Sequence, residues 1–313
     1  MISLGEQKNR FFLMFTVVML TFFPFGAKAV EIIPLPGIPV QEDYLVGPAK
    51  IEASVQPGTS RNFSFSITNR SGRAQKFSLS LEDYEGSSEP NQAVVFLHGD
   101  ESATSLKDYI FLPQNEFTLR HGERAIVPFG IFAPAGASPG GRFSAVIVSA
   151  TPTTAPEQSQ QIAISPRIAV LLFVTIEGDV QREGQLVSIA TKNGKSLFWD
   201  EAIPIQILFE NNGNVHLNPY GKVIIRNMFG RIVEEIVLEP WFTLPNSQRL
   251  REIEVRGVRF GRYRVEAQIN RGYEDLVDEG GISFVVLPIT EVLVALVALA
   301  VLFSIRQVRR RKQ

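Results

Sequence analysis

The sequence predicts an all-β protein with two tandem β-sandwich domains plus one C-terminal transmembrane helix. Short segments with an apolar residue at every second position recur between residues 49 and 284, and turns rich in Gly, Pro and Asn separate them. Three short motifs occur twice in the same order, which indicates two domains of one topology. An apolar run near the C-terminus, followed by a cluster of cations, predicts the helix.

Residues 1–29 are predicted to be a signal peptide. Two cations precede an apolar stretch at residues 11–25, and Ala27 and Ala29 place small side chains where a signal peptidase reads. That stretch holds about 15 residues, which is short for a membrane-spanning helix. Cleavage is therefore the favoured interpretation, and an uncleaved N-terminal anchor is the alternative. Residues 30–48 are rich in Pro and Gly, which predicts an extended leader.

Two β-sandwich domains are predicted to follow, over residues 49–178 and 184–287. Their strands alternate between apolar and polar residues and are bounded by turn signals. Residues 151–161 are rich in Pro, Thr, Ser and Gln, which predicts a long loop. The most regular strands are predicted at residues 62–68, 77–81, 125–132, 143–149, 168–176 and 203–209.

The two predicted domains share three short motifs, and this sharing supports a common topology. In each domain a strand ends in a turn that begins with Asn, a Phe-Thr-Leu segment follows, and a Gly-Arg-aromatic segment opens a later strand. The pairs are Asn69-Arg-Ser-Gly72 with Asn211-Asn-Gly-Asn214, Phe117-Thr-Leu119 with Phe242-Thr-Leu244, and Gly141-Arg-Phe143 with Gly261-Arg-Tyr263.

The Asn-Gly pair in the second of these turns makes a sharper prediction. Asn-Gly between apolar strand residues is a strong turn signal, because Gly adopts positive φ without steric cost. We therefore predict a tight turn at Asn212 and Gly213 with positive φ at Gly213.

Residues 288–305 are predicted to form a transmembrane helix, and residues 306–313 a cytoplasmic basic tail. Five Arg and Lys residues follow the apolar run with no acidic residue among them, and cations of this kind stay on the cytoplasmic side. The segment Leu287-Pro-Ile-Thr-Glu291 also resembles a sortase signal of the LPxTG type. Glu291 replaces its Gly, which argues against covalent wall attachment, and whether the segment is processed is left open.

Composition excludes several classes of function. The chain has 31 basic and 32 acidic residues. The predicted signal peptide and the predicted basic tail together hold eight of the basic residues but only one of the acidic residues. The body is therefore acidic, and nucleic acid is not expected as a partner because such binding relies on Lys and Arg at phosphates. The chain has no Cys, which excludes disulfides, thiol nucleophiles and thiolate metal sites.

No catalytic, cofactor-binding or metal-binding residue is predicted. His98, His121 and His216 lie far apart in predicted turns, and none has the spacing of a metal motif. A nucleophile elbow, a phosphate-binding loop and a dinucleotide-binding motif are all absent. We therefore predict a protein that is not an enzyme and needs no cofactor.

Paired carboxylates keep one alternative open. Glycoside hydrolysis needs two carboxylates across a cleft, so an unrecognised envelope hydrolase could assemble such a pair between loops. We interpret the pairs as exposed rim charges; they are Asp83 with Glu85, Asp200 with Glu201, and Glu234 with Glu235.

Trp199 and Trp241 form the candidate binding surface. Trp in a β-sandwich either fills the core or an interface, or offers a flat platform to a ligand such as a sugar. If the two side chains are exposed, their loss should weaken capture of a partner. If they are core residues, the binding surface lies elsewhere.

Both domains carry fold motifs found in bacterial envelope proteins. With these motifs the chain resembles bacterial surface proteins of the WxL-interacting type, which have a signal peptide, two tandem Ig-like domains and a C-terminal transmembrane helix. The resemblance implies peptidoglycan contact by the first domain and a surface partner for the second. The motifs are Val55-Gln-Pro-Gly58, Asn69-Arg-Ser71, Phe117-Thr-Leu119 with His121-Gly-Glu123, Ala133-Pro134, Ser138-Pro-Gly-Gly141, and the segment from Phe209 to Pro219.

We therefore predict a non-catalytic, single-pass cell membrane protein that binds a cell-wall polymer (peptidoglycan) or another surface protein, with its ectodomain outside. Pilus-type periplasmic chaperones share the motifs of the first domain, so a membrane-tethered assembly chaperone for surface or pilus subunits is the alternative. A bare edge strand beside a hydrophobic groove would favour the chaperone. A deep pocket with convergent carboxylates would favour the hydrolase.

Overall fold

The computed structural model describes residues 29–153, 166–199 and 202–288, together with residue 294 and residues 297–304 and 306–307. Within these residues the chain is mostly β, with nineteen strands in two Ig-like sandwiches. The predicted signal peptide up to residue 28 and most of the predicted loop at residues 151–161 lie outside the described residues.

Eleven strands build the first sandwich. One sheet has the order β1-β9-β4-β2 with β7 also beside β9, and the other has the order β3-β11-β10-β5-β6 with β8 also beside β5. The five strands predicted in this half each lie within an observed strand. The strands are β1 (Glu31–Pro34), β2 (Tyr44–Gly47), β3 (Lys50–Val55), β4 (Ser60–Asn69), β5 (Gln75–Gly86), β6 (Val94–Phe96), β7 (Ile110–Phe111), β8 (Glu116–Leu119), β9 (Glu123–Phe132), β10 (Gly140–Pro152) and β11 (Arg167–Ile176).

Strand alternation fills the core of this sandwich. Val127 and Phe129 on β9 are buried, and so are Leu172 and Val174 on β11. Side chains at every second position of a strand point to the same face, so the apolar sets of the two sheets meet between them. Burial of each such side chain contributes about 1.5–3 kcal/mol.

The predicted leader at residues 30–48 is part of the first sandwich. β1 pairs with β9, and β2 pairs with β4, both antiparallel. The chain then passes from one sheet to the other between Gly47 and Lys50, where β3 begins. The prediction of a separate leader is therefore wrong, because each of these strands is four residues long and Pro and Gly hide its alternation.

Eight strands build the second sandwich. A three-stranded sheet has the order β12-β14-β17, and a five-stranded sheet has the order β13-β19-β18-β15-β16. The predicted strand at residues 203–209 lies within β14. The strands are β12 (Gly184–Thr191), β13 (Leu197–Phe198), β14 (Ile203–Asn211), β15 (Tyr220–Asn227), β16 (Ile232–Leu238), β17 (Ser247–Val255), β18 (Gly261–Asn270) and β19 (Val277–Val286).

A buried asparagine organises the first of the two repeated turns. Asn69 ends β4, and its side-chain amide donates to the carbonyl oxygens of Arg73 at 2.8 Å and Leu119 at 2.9 Å. Its side-chain oxygen accepts from the Ser71 backbone N–H at 2.9 Å. One side chain thus closes the turn and ties it to β8.

Asn211 does the same in the second sandwich. Its amide donates to the carbonyl oxygens of Val215 at 2.8 Å and Thr243 at 2.9 Å, and its oxygen accepts from the Gly213 backbone N–H at 3.0 Å. The pattern matches that of Asn69: in both turns the side-chain oxygen accepts from the N–H two residues later, and the amide donates to the carbonyl oxygen four residues later. The repeat seen in the sequence is therefore a repeat of structure.

Gly213 is required for a reason other than the predicted one. Its φ is not among the positive values, so the prediction of positive φ is wrong. A Cβ at this position would instead overlap the Gln181 carbonyl oxygen and lie 2.9 Å from the Glu183 backbone nitrogen. The turn packs against the segment that joins the two sandwiches, and only Gly fits.

The two sandwiches share an aromatic cluster. Tyr84, Phe143 and Phe173 of the first sandwich pack with Phe242 and Leu244 of the second. The rings of Phe173 and Phe242 are 5.0 Å apart. Apolar residues on the outer face of the first sandwich are therefore covered by the second.

The predicted transmembrane helix at residues 288–305 is described only in part. Residue 294 and residues 297–304 and 306–307 are helical, and Ser304 Oγ donates to the Ala300 carbonyl oxygen at 2.8 Å. In the part of the chain that the structure describes, no helix is both long and apolar enough to cross a bilayer. The rest of the predicted helix and nearly all of the predicted basic tail lie outside the described residues.

Candidate functional site

The two tryptophans do not form one surface. Trp241 is 7% exposed and packs against Phe209 in the core of the second sandwich, next to the end that meets the first. Trp199 is 45% exposed and follows Phe198, which pairs with Val286 at the opposite end. Trp241 is therefore a core residue, and the predicted binding surface of two tryptophans is wrong.

The three histidines make structural contacts. His98 Nδ1 lies 2.6 Å from a Glu82 carboxylate oxygen, at an exposed site. His121 Nε2 lies 3.0 Å from the Ile38 carbonyl oxygen and joins the N-terminal strands to the turn before β9. Across the described ranges, no three His, Asp or Glu side chains converge as metal ligands would.

One of the predicted rim carboxylates is buried. Asp83 is 3% exposed, and its Oδ1 accepts from the backbone N–H groups of Leu106 at 3.1 Å and Lys107 at 2.9 Å. The interpretation of Asp83 as an exposed rim charge is therefore wrong, because this carboxylate orders a turn. Asp200 and Glu201 lie outside the described residues.

A charged cluster joins the sandwiches next to the aromatic cluster. Glu52 on β3 pairs with Lys50 at 2.6 Å and receives a hydrogen bond from the Asn218 amide at 3.1 Å. His216 Nε2 lies 3.7 Å from the same carboxylate. Contact with His216, followed by that with Lys50, lowers the pKa of Glu52 to about 2 against the effect of partial burial. Glu52 is thus an ionised structural contact at neutral pH and has no proton to donate.

The start of β11, near this cluster, is paired on one side only. β11 pairs with β10 from Arg167 to Ile176, which is its whole length. On its other side β3 pairs in parallel only from Leu171 onward. Among the described residues, no strand pairs with residues 167–170 on that side.

The backbone groups at this edge point outward. The Leu171 N–H donates to the Ala49 carbonyl oxygen at 2.9 Å, on the β3 side. N–H groups two residues apart on a strand point the same way, so the Ala169 N–H points to the uncovered side. Within the part of the chain that the structure describes, the backbone N–H and carbonyl groups of Arg167 and Ala169 therefore have no partner strand, whereas those of Ile168 and Val170 face β10.

Apolar side chains flank this free edge. Val170 faces the core of the first sandwich with half-buried Ile168, and half-buried Ala169 packs with the aromatic cluster. Close to the start of β11 lies β2, an edge strand of the other sheet, with half-buried Val46 and exposed Leu45. Apolar side chains of β2 and β11 therefore lie beside the unpaired backbone groups.

Tyr44 on β2 makes hydrogen bonds to the opposite sheet. Its hydroxyl oxygen lies 2.6 Å from the Pro166 carbonyl oxygen and 3.1 Å from that of Val148. Burial raises the pKa of Tyr44 above its usual value, so the hydroxyl remains a donor at physiological pH. The start of β11 is thereby held to β2.

Solved structures of pilus chaperones are similar to this chain. A chain from the complex of the Salmonella enterica SafA pilin with the SafB chaperone is 11% identical, covers 78% of this chain and 96% of that chain, and has a TM-score of 0.38. The E. coli chaperone DraB is 12% identical, with coverage of 76% and 95% and a TM-score of 0.37. A chain from the CsuC-CsuE chaperone-tip adhesion subunit complex of Acinetobacter baumannii is 9% identical, with coverage of 79% and 99% and a TM-score of 0.37.

No family model and no curated protein matches the chain. Membership of the WxL-interacting type therefore stays a prediction.

Proposed function

We propose that this protein captures an extended apolar segment of a partner protein at the free edge of β11, as an assembly chaperone for surface or pilus subunits does. The observation that supports this proposal is that, among the described residues, no strand pairs with the outward backbone groups of Arg167 and Ala169, which lie beside apolar side chains of β2 and β11. The protein would act by binding alone, in the envelope of a bacterium.

The physical basis is strand addition. A segment that pairs with residues 167–170 gains backbone hydrogen bonds, each worth about 0.5–1.5 kcal/mol. Its alternate side chains would meet Ile168 on one face and Ala169 on the other. The partner segment is therefore expected to be extended and apolar at alternate positions, with no requirement for charge.

Proline at position 169 should separate this function from folding. Ala169→Pro removes an N–H that points away from β10, so the ladder between β10 and β11 remains intact. We expect the variant to bind an alternating apolar peptide about ten-fold more weakly than the wild type. Fluorescence anisotropy with a labelled ten-residue peptide of alternating Val and Ser measures this.

Two controls sharpen that experiment. Ala169→Val keeps the N–H and should bind as the wild type does, and a peptide of the same composition with blocks of Val and Ser should bind weakly to all variants. Equal binding of Ala169→Pro and the wild type would contradict strand capture. Cosedimentation with peptidoglycan sacculi that is unaffected by Ala169→Pro would instead favour binding of a wall polymer.

We also propose that residues 288–305 anchor the protein in the membrane with the basic tail in the cytoplasm, supported by the apolar run and the cations after it. The wild type is expected to stay with membranes in alkaline carbonate. Val297→Arg should release much of the protein, because a cation at the centre of a helix costs about 2.5–3.5 kcal/mol on insertion, and Val297→Leu should release none. Release of the wild type would contradict the anchor.

A further inference from the structure

Four loops meet at the end of the second sandwich that lies away from the first, which we name the base. β19 ends there at Val286, which pairs with Gly261 at the start of β18 and with Phe198 of β13. The chain leaves the sandwich at this point and continues into the apolar run at residues 289–305. The described residues of these loops are residues 192–196, Trp199, residues 228–231 and residues 256–260.

Large apolar side chains project from the base. The exposed fraction is 80% for Phe229, 67% for Phe260, 61% for Met228 and 45% for Trp199. Met228 and Phe229 lie in the turn between β15 and β16, and Phe260 immediately precedes β18, which pairs with β15. Aromatic residues this exposed in adjacent loops mark an interaction site rather than ordinary surface.

Cations surround these side chains. Lys195, Arg231, Arg259 and Arg262 are all exposed. Within the described ranges no carboxylate pairs with any of them, whereas Arg256 in the same group of loops pairs with Glu254 at 2.5 Å. In the sequence, these loops with the segment after Phe198 hold five basic residues and two acidic ones, Asp200 and Glu201, so this end carries an excess of positive charge on a protein whose body is acidic.

We infer that the base rests on an anionic phospholipid surface. Aromatic side chains settle at the level of lipid headgroups, where an apolar ring and a polar neighbourhood are both satisfied. Arginines near an anionic surface add attraction. Two features point to a lipid surface as the binding partner of the base: its positive charge, and the exit of the chain at this end toward the proposed anchor. The inference therefore rests on the proposed anchor.

Contact between the base and the membrane would fix the orientation of the ectodomain relative to the membrane. With Phe229 and Phe260 in the headgroup region, the second sandwich stands on the membrane by its loops, and the first sandwich with the free edge of β11 is held at the far end. An anchor alone, joined through residues 287 and 288, would leave the sandwich free to tilt.

Trp199 offers a direct test in the full chain. The wild type is reconstituted into vesicles of phosphatidylglycerol and phosphatidylcholine, with and without brominated acyl chains that quench tryptophan on contact. We expect strong quenching that is lost in Trp199→Phe, because the remaining Trp241 is buried at the other end. Equal quenching of the wild type and Trp199→Phe would overturn the inference.

Charge removal tests the lipid specificity. Each arginine near an anionic surface contributes a factor of about five in binding. The double variant Arg259→Gln with Arg262→Gln should therefore lower the equilibrium constant for contact between the base and the lipid surface about 25-fold. Lys76→Gln with Lys222→Gln removes the same charge away from the base and should change nothing. Undiminished quenching in the base variant, or an equal fall in the control, would overturn the inference.

Failure of the anchor is a distinguishable result. A chain that carbonate releases but that vesicles of phosphatidylglycerol still bind and quench retains the surface and lacks the anchor. A chain that carbonate does not release and that brominated lipids do not quench retains the anchor and lacks the surface. The second result overturns the inference, and the first supports it.

Discussion

Replacement of Asn211 by alanine is expected to lower the free energy of unfolding of the second sandwich by about 3 kcal/mol. The Asn211 side chain is fully buried and satisfies the carbonyl oxygens of Val215 and Thr243 and the N–H of Gly213. Alanine removes these three hydrogen bonds, each worth about 0.5–1.5 kcal/mol. The Thr243 carbonyl oxygen keeps the Leu217 N–H at 3.0 Å, and the Gly213 N–H keeps the Glu183 carbonyl oxygen at 3.1 Å. Urea denaturation followed by the fluorescence of buried Trp241 measures the effect.

The repeat supplies the controls. Asn212→Ala alters an exposed side chain in the same turn and should change stability by less than about 0.5 kcal/mol. Asn69→Ala should destabilise the first sandwich to the same extent as Asn211→Ala does the second, observed by circular dichroism. A variant Asn211→Ala with an unchanged midpoint would show that the turn does not depend on this side chain.

Replacement of Gly213 by alanine is the second large effect, at about 2–3 kcal/mol. The added Cβ meets the carbonyl oxygen of Gln181 and the nitrogen of Glu183, and both are backbone atoms that cannot rotate away. Moving them shifts the segment that joins the two sandwiches. The same denaturation experiment on Trp241 fluorescence measures the change.

Gly136 provides a matched control for Gly213. It has no positive φ, and a Cβ there would meet nothing within 4 Å. Gly136→Ala should therefore leave stability within about 0.5 kcal/mol of the wild type. Similar values for the two alanine variants would mean that the turn at Gly213 yields to a methyl group.

Period-two alternation was sufficient to predict the strands that build the cores. The strands at residues 62–68 and 203–209 lie within β4 and β14, because one face of each is buried and the other is not. The repeated turns were also readable, since Asn69 and Asn211 each follow an apolar strand. β1 and β2 were not predicted as strands, because four residues with Pro or Gly nearby are too few to show period-two alternation.

The free edge could not be read from the sequence. Residues 168–176 are apolar on both alternate sets apart from Thr175, and this indicates that both faces of β11 are covered. Which part of its side is uncovered depends on where β3 begins, and that is set by pairing between distant segments. Trp241 was misplaced for a similar reason, because a Trp after Glu and Pro looks like a loop residue until the fold buries it.

The start of β3 at Lys50 limits how far a captured segment can pair along β11. A captured segment can extend along β11 only up to Leu171. From that residue on, β3 already pairs with β11, and the Leu171 N–H donates to the Ala49 carbonyl oxygen. Every partner would therefore stop at the same residue and be held in one register, whatever its length. A longer reach would require β3 to leave, and since Glu52 on that strand holds His216 and Asn218, overextension would also loosen the joint between the two sandwiches.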